Sequence, residues 1–164
     1  RSSRPAFCGR LTSPVRRLSP VLDNFAPPAV TVVQTAFESD RTTRVESVTL
    51  DSNGLSISVS SQRWDARVGF EQTYGFRVLD ELDLTEFWSR CTLEDGWLFE
   101  VTSGGWKELE LTRPYFYSGR QDWVREYLVV GLNECVSVLT KAVPSVLATA
   151  PSNPSLQPTA FGGG

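Results

Sequence analysis

Residues 97–111 read WLFEVTSGGWKELEL, so two apolar runs flank a pair of glycines. Because side chains alternate between the two faces of a strand, the length of the loop decides which residues pair. A two-residue loop at Gly104-Gly105 would set apolar residues against glutamates. A three-residue loop at residues 103–105 gathers most of the apolar side chains on one face, by pairing Val101 with Lys107, Phe99 with Leu109 and Trp97 with Leu111. The stretch predicts a β-hairpin with this longer turn.

The turn also suggests a binding hypothesis. Glycine has no Cβ, so the backbone amides of Gly104 and Gly105 stand open beside Trp106. We therefore consider a small binding lip formed by Ser103, Gly104, Gly105 and Trp106. The alternative is that both glycines serve only the turn.

Length and composition predict one domain with a hydrophobic core. The chain has 164 residues, of which 40% are hydrophobic and 11% aromatic, which is enough to build such a core. Residues 1–28, rich in Ser, Pro and Arg, predict a disordered or non-native arm. Residues 29–143 form the predicted domain, and residues 144–164 predict a disordered tail.

Charge is distributed unevenly along the chain. The first 20 residues hold five arginines and no acid, whereas residues 21–141 hold all 19 acidic residues and 11 basic ones, a net charge of −8. An acidic domain repels a phosphate backbone, which argues against nucleic-acid binding through the domain. Its charge suits a basic protein partner instead.

Missing residue types exclude several chemistries. The sequence has no histidine, so it lacks the commonest general base and metal ligand, and we expect neither a metal nor a cofactor. The three cysteines, Cys8, Cys91 and Cys135, have no metal-type spacing and predict reduced thiols in the cytoplasm. No apolar run predicts a membrane span or a signal peptide. Methionine is absent as well, which predicts a fragment, a processed form or a translation that starts upstream of the true start.

Two segments predict strands near the start of the domain. Residues 29–37 are rich in β-branched side chains and predict an edge strand. Asn53-Gly54 is a strong hairpin signal, and a two-residue turn there pairs Leu50 with Ile57 and Val48 with Val59.

Three further segments predict the rest of the sheet. Residues 66–78 alternate and predict one long strand, bent near Gly69 or Gly75. Residues 127–130 and 135–139 are apolar on both faces, which is typical of interior strands at the middle of a sheet.

At residues 84–92 the spacing of apolar residues changes from every second position, as in a strand, to that of a helix. Leu84, Phe87, Trp88 and Cys91 share one helical face, with Asp83 and Glu86 placed as a capping box. Cys91 is expected to be a small buried hydrophobe. The predicted fold class is α+β: an antiparallel sheet of about six or seven strands with one principal short helix packed on one face, and disordered ends.

Several motifs carry a resemblance to a known family. They are FRVLDE at residues 76–81, Phe87-Trp88, Trp97 with SGGW at residues 103–106, EYLVVG at residues 126–131 and ECVSV at residues 134–138. Together they resemble a family of small, uncharacterised bacterial proteins carried as cargo of mobile gene cassettes. The tail NPSLQPTAFGG at residues 153–163 resembles read-through of the recombination repeats that bound integron cassettes. The resemblance implies no established activity and no catalytic residue.

Three functions follow as hypotheses, and the first is favoured. It is a cytoplasmic protein-binding module of immunity or inhibitor type, which presents an acidic surface to a basic partner. The alternative is a small-ligand-binding domain with an aromatic pocket between helix and sheet, floored by Trp88, Trp97, Trp106 and Tyr127. The third is a hydrolase that uses Glu100, Glu108 and Glu110; the predicted register makes these solvated surface charges, so we do not expect an enzyme. A homodimer is expected if the strand at residues 29–37 is left unpaired.

Overall fold

Two antiparallel sheets make up the protein in a computed structural model that describes residues 27–149. The five-stranded sheet has the order β1-β6-β7-β8-β5, and the four-stranded sheet has the order β2-β3-β4-β9. The strands are β1 (Ala29–Val32), β2 (Arg44–Asp51), β3 (Gly54–Ser60), β4 (Asp65–Phe70), β5 (Thr73–Asp80), β6 (Leu98–Ser103), β7 (Arg125–Val130), β8 (Glu134–Thr140) and β9 (Ser145–Ala148). The described residues contain one α-helix, α1 (Trp106–Glu110), and 3-10 helices at Glu81–Leu84 and Ser118–Arg120.

The predicted class is confirmed at the level of antiparallel sheets with one helix, but the single sheet of six or seven strands is wrong. Most of the predicted arm, the end of the predicted tail, Cys8 and the cassette-like motif at residues 153–163 lie outside the described residues. Within that range, no helix has both the length and the apolar character that a membrane crossing requires.

The main hydrophobic core lies between the two sheets. Strands β3 and β4 contribute Leu55, Ile57 and Val68 from one side, and β7 and β8 contribute Tyr127 and Val138 from the other. All of these side chains are buried. The alternation of apolar and polar residues in β3 and β4 therefore has a direct cause, because only one face of their sheet meets the core.

The five-stranded sheet is covered on its other face as well. Leu128 and Val130 of β7 pack there against Leu84 and Phe87, and Leu139 of β8 packs against Phe116. Strands β7 and β8 are thus buried on both faces at the middle of their sheet, and this prediction is confirmed.

The β2–β3 hairpin forms with a register different from the predicted one. Leu50 pairs with Leu55 and Val48 with Ile57, so the turn is one residue earlier. Asn53 keeps a negative φ, its N–H donates to Asp51 Oδ1 at 2.7 Å, and only Gly54 takes a positive φ, of 120°. A type I′ turn at Asn53-Gly54 would need positive φ at both residues. The pairing partners shift by two residues, so the same side chains stay on the face turned towards the core, although Leu50 is 59% exposed.

The long strand predicted at residues 66–78 is two strands in different sheets. Strand β4 belongs to the four-stranded sheet and β5 to the five-stranded sheet, and the chain passes between them at Glu71 and Gln72. Val68 faces the core, and Phe76 pairs with core-facing Val138. Both strands therefore carry even-numbered apolar side chains on the face turned towards the other sheet, which is why the pattern imitates one strand, although those of β4 are buried and those of β5 are exposed.

The predicted helix at residues 84–92 is replaced by a 3-10 helix and turns. The 3-10 helix starts earlier because the Asp80 side chain, rather than Asp83, accepts the N–H of Leu82 at 2.9 Å. The apolar stripe nevertheless packs as expected: Leu84, Phe87 and Cys91 are buried against the five-stranded sheet. The turns bury these side chains as effectively as an α-helix would.

The first and last strands of the domain also differ from the prediction. Strand β1 covers only part of residues 29–37 and pairs with β6, so it is an edge strand but is not unpaired. Strand β9 pairs with β4 and brings Val146 opposite Val68. The boundary predicted at residue 143 therefore leaves out one strand of the fold.

Two neighbouring residues of β9 test this packing. Val146→Asp places a carboxylate against the core and should lower the free energy of unfolding by about 2 kcal/mol. Leu147 is 64% exposed, so Leu147→Asp should change it by less than about 0.5 kcal/mol. Urea unfolding of both variants checks the expectation, and equal effects would contradict the placement of β9.

Candidate functional site

A buried carboxylate decides the structure of the stretch at residues 97–111. Glu126 lies in β7 on the same face as Leu128 and Val130 and is only 2% exposed. Its Oε1 accepts the N–H of Trp106 at 2.9 Å, and its Oε2 accepts the N–H of Lys107 at 2.7 Å. These bonds satisfy two amides at the start of α1 and the buried carboxylate together.

The predicted hairpin at residues 97–111 is therefore wrong. Strand β6 pairs with β1 and β7, and the chain turns into α1 after Ser103. Leu109 and Leu111 are exposed instead of packing on Phe99. Gly105 makes the turn possible by close approach, since a Cβ there would meet Glu126 Oε2 and Val101 Cγ1, each at 2.6 Å.

Burial has an electrostatic consequence for Glu126. Desolvation raises the pKa of this carboxyl group, while the two amide hydrogen bonds and the charge of Arg77 act in the opposite direction. Lys107 is also held, because its Nζ donates to the carbonyl oxygen of Val124 at 2.6 Å. The start of α1 is thus fixed to β7 and to the loop that precedes β7.

A cavity of about 460 Å³ adjoins this carboxylate. We call it the Glu126 cavity. Its charged lining residues are Lys107, Glu108, Arg120, Asp122 and Glu126, and two residues of the predicted lip, Ser103 and Gly105, also line it.

A second concave surface lies at the end of the five-stranded sheet, where β7 turns into β8. We call it the Trp88 groove, and its volume is about 420 Å³. Its apolar lining residues are Trp88, Cys91, Leu93, Val130 and Leu132, and its charged ones are Arg41, Glu81 and Glu94. Arg41 and Glu94 form an exposed ion pair, and the Trp88 indole N–H donates to the carbonyl oxygen of Glu81 at 3.0 Å.

The third candidate is the free edge of β5. This strand ends the five-stranded sheet, so one side of its backbone has no strand beside it among the described residues. Tyr74, Phe76 and Val78 are 45%, 36% and 45% exposed. Three apolar side chains on one free edge are typical of a surface that takes up another chain.

The residues predicted to floor one aromatic pocket are separated in the structure. Trp97 and Tyr127 are buried between the sheets, where Trp97 lies 5.1 Å from Trp64, ring centroid to ring centroid. Trp106 begins α1, under the guanidinium of Arg77. Trp88 alone of the four lines the groove described above, and Gly104 serves the turn with a φ of 71°.

The three carboxylates of the hydrolase hypothesis have local partners or stand in solvent. Glu100 forms an ion pair with Arg125 at 3.7 Å. Glu110 pairs with Arg113 and accepts the indole N–H of Trp106. Glu108 is exposed at the rim of the Glu126 cavity. This arrangement does not favour a pair that divides acid and base roles.

Both described cysteines are free thiols in the interior. Burial raises the pKa of Cys91 to about 12 and that of Cys135 to about 11, which opposes formation of the nucleophilic thiolate. Residues 27–149 contain no group of three or more Cys, Asp or Glu side chains placed to hold a metal ion.

Sequence reasoning missed Glu126 and the free edge of β5. A signal for Glu126 was present, because it directly precedes residues 127–130, which were predicted to be buried on both faces, and alternates with Leu128 and Val130. No local signal marks β5 as an edge, since strand order depends on pairing between distant segments.

Comparison of the chain with protein-family models, with curated proteins and with solved structures finds no significant match. The resemblance to cassette-borne proteins therefore stays a prediction. Function has to be argued from the geometry.

Glu126→Gln tests the buried carboxylate through its pH dependence. Because the pKa of Glu126 is raised from its ordinary 4.5, the folded chain binds this proton more tightly than the unfolded chain does. The stabilisation is fully present below the unfolded pKa and is lost as pH rises through the folded pKa. The unfolding free energy of the wild type minus that of Glu126→Gln should therefore fall as pH rises from about 4.5 towards neutrality.

Chemical denaturation at a series of pH values measures this difference. Glu108→Gln, on the exposed side of α1, is the matched control and should alter stability by less than about 0.5 kcal/mol. A difference for Glu126→Gln that does not vary with pH would contradict the raised pKa.

Proposed function

We propose that this protein is a protein-binding module of inhibitor or immunity type, which takes up an extended segment of a basic partner along β5. The observation that carries the proposal is that one side of this strand has no neighbour in the described part of the chain, together with its exposed apolar side chains. The backbone of β5, its side chains and the charge beside it each favour this role.

The backbone of β5 can pair with one more strand. It spans eight residues and is bonded on one side to β8. An added strand would satisfy the outward N–H and C=O groups, which is how many domains bind extended peptides.

The apolar side chains of β5 are uncovered because the opposite sheet is narrower at this side. Strand β2 ends that sheet and contacts β7 and β8. Phe76 and Val78 pair with core-facing Val138 and Val136, so they lie on the same face of the sheet. They are nevertheless 36% and 45% exposed, so this face is not covered at β5. A partner segment would extend this core and remove their apolar surface from water.

The charge near β5 selects the partner. Asp80, Asp83, Glu86 and Glu134 are exposed where the strand ends, and we call them the acidic end. Asp80 and Glu134 lie directly opposite each other in the sheet, which is unfavourable for like charges. Basic side chains of a partner would relieve this repulsion and speed association.

The other edges are less suited to this role. Strands β1 and β9 have four residues each, and short strands are a common way to protect an edge from pairing. Strands β2 and β5 both carry a register shift, but β2 exposes one large apolar side chain, Leu50, whereas β5 exposes three. Among these edges, β5 is therefore the one on which a partner strand would bury the most apolar surface.

A double substitution in β5 tests the apolar step. Peptides selected from a displayed random library against the wild type should bind with dissociation constants that rise about tenfold or more in Phe76→Ser/Val78→Ser, because the buried apolar contact is lost. Fluorescence anisotropy of the selected peptides measures this.

The matched control is Leu147→Ser, which changes an exposed leucine on the other sheet and should leave binding unchanged. Peptides that bind the double variant as tightly as the wild type would overturn the proposal. So would a chain that is dimeric by light scattering through β5, because a second copy would then be the occupant.

Charge reversal at the acidic end tests the electrostatic step. Asp83→Lys should lower the association rate of the selected peptides several-fold at about 50 mM salt and much less at about 500 mM, where screening is short-ranged. Glu71→Lys makes the same change at the opposite end of β5 and should have a smaller effect. Stopped-flow measurements that give equal effects would contradict selection by the acidic end.

A further inference from the structure

We infer that the Trp88 groove is a binding site for a small organic cation, a positively charged amine or guanidine attached to a flat apolar body. This ligand site is separate from the protein-binding edge proposed above. The inference rests on the size and lining of the groove, on its carboxylates and on the ion pair that occupies one of them.

The groove has the size and the walls of a small-ligand site. Its volume of about 420 Å³ lies within the usual range for pockets that hold small molecules. Leu93, Val130 and Leu132 offer apolar surface, and half-buried Trp88 offers an aromatic ring. The position of this indole is fixed by its hydrogen bond to the carbonyl oxygen of Glu81, so little order has to be gained when a ligand binds.

The charges of the groove favour a cation over an anion. Glu81 and Glu94 both line it, whereas Arg41 is its one basic lining residue and is already paired with Glu94. Within the described part of the chain, Glu81 forms no ion pair. Glu81 also belongs to the segment that carries the acidic end, so the surrounding potential is negative.

The aromatic ring adds to this preference. A cation near the face of an indole is attracted by the quadrupole of the ring, and the attraction is strongest for Trp. Trp88 and Glu81 line the same groove. The positively charged group of one ligand can therefore contact both the indole ring and the Glu81 carboxylate. A carboxylate ligand would instead have to displace Glu94 from Arg41.

Three probes of similar size and different charge test the inference: benzylammonium, benzyl alcohol and benzoate. Each is titrated into the full chain, and the indole N–H signal of Trp88 and the amide signal of Leu132 are followed by NMR. Benzylammonium should shift both signals and saturate, with a dissociation constant about threefold or more below that of benzyl alcohol. Benzoate should bind weakest.

The decisive variant is Arg41→Gln, because it should improve binding. Removing the guanidinium frees Glu94, so the affinity for benzylammonium should rise about threefold or more. A variant that gains affinity is folded, which separates this outcome from a structural defect. Arg113→Gln removes a comparable exposed ion pair with Glu110 and should leave the affinity unchanged. Trp88→Leu should abolish the preference for the cation over benzyl alcohol.

Three results would overturn the inference. They are equal affinity for the three probes, unchanged or weaker benzylammonium binding in Arg41→Gln, and shifts confined to signals outside the groove. These results do not depend on whether peptides bind to β5, so failure here and failure of the proposed function are distinguishable.

Discussion

Strands β7 and β8 carry apolar side chains on both faces, and this requirement for double cover organises the rest of the fold. One face packs on the four-stranded sheet through Tyr127 and Val138. The other face is covered by the segment that contains Leu84 and Phe87 and by the loop that contains Phe116. Because apolar surface is stable only out of water, both layers have to close over these strands. The elements that remain exposed are those at the margin of the double-covered region.

Glu126 is the charged exception within this apolar centre, and its hydrogen bonds determine the nearby chain path. A buried carboxylate without partners would be costly. The amides of Trp106 and Lys107 supply those partners only if the chain turns into a helix after Ser103. The hairpin predicted for this stretch would have left the carboxylate unsatisfied. A single long-range polar requirement therefore outweighs the local alternation of Leu109 and Leu111.

The surface features follow from the same arrangement. The four-stranded sheet covers β7 and β8 but leaves Tyr74, Phe76 and Val78 of β5 exposed. The turn after β5 carries Glu81 to the Trp88 groove, and the pairing of β5 with β8 places Asp80 opposite Glu134. Apolar surface on the strand and negative charge at its end thus adjoin, a combination that suits a basic partner on the edge and an organic cation in the groove.

For β3, β4, β7 and β8 the sequence by itself determined which residues extend and which faces they bury, because the apolar pattern along a strand is a local property. It identified β7 and β8 as interior strands and the stripe of Leu84, Phe87 and Cys91 as buried. Only the tertiary structure decided that β4 and β5 belong to different sheets, that residues 106–110 are helical, and that β5 is an edge strand within residues 27–149. Alternation assigns a face but not a partner, and the β2–β3 register, the Glu126 hydrogen bonds and the strand order are pairings between residues that the pattern does not connect. For the same reason the groove, which joins Arg41, Trp88 and Leu132, could not be found from any one segment.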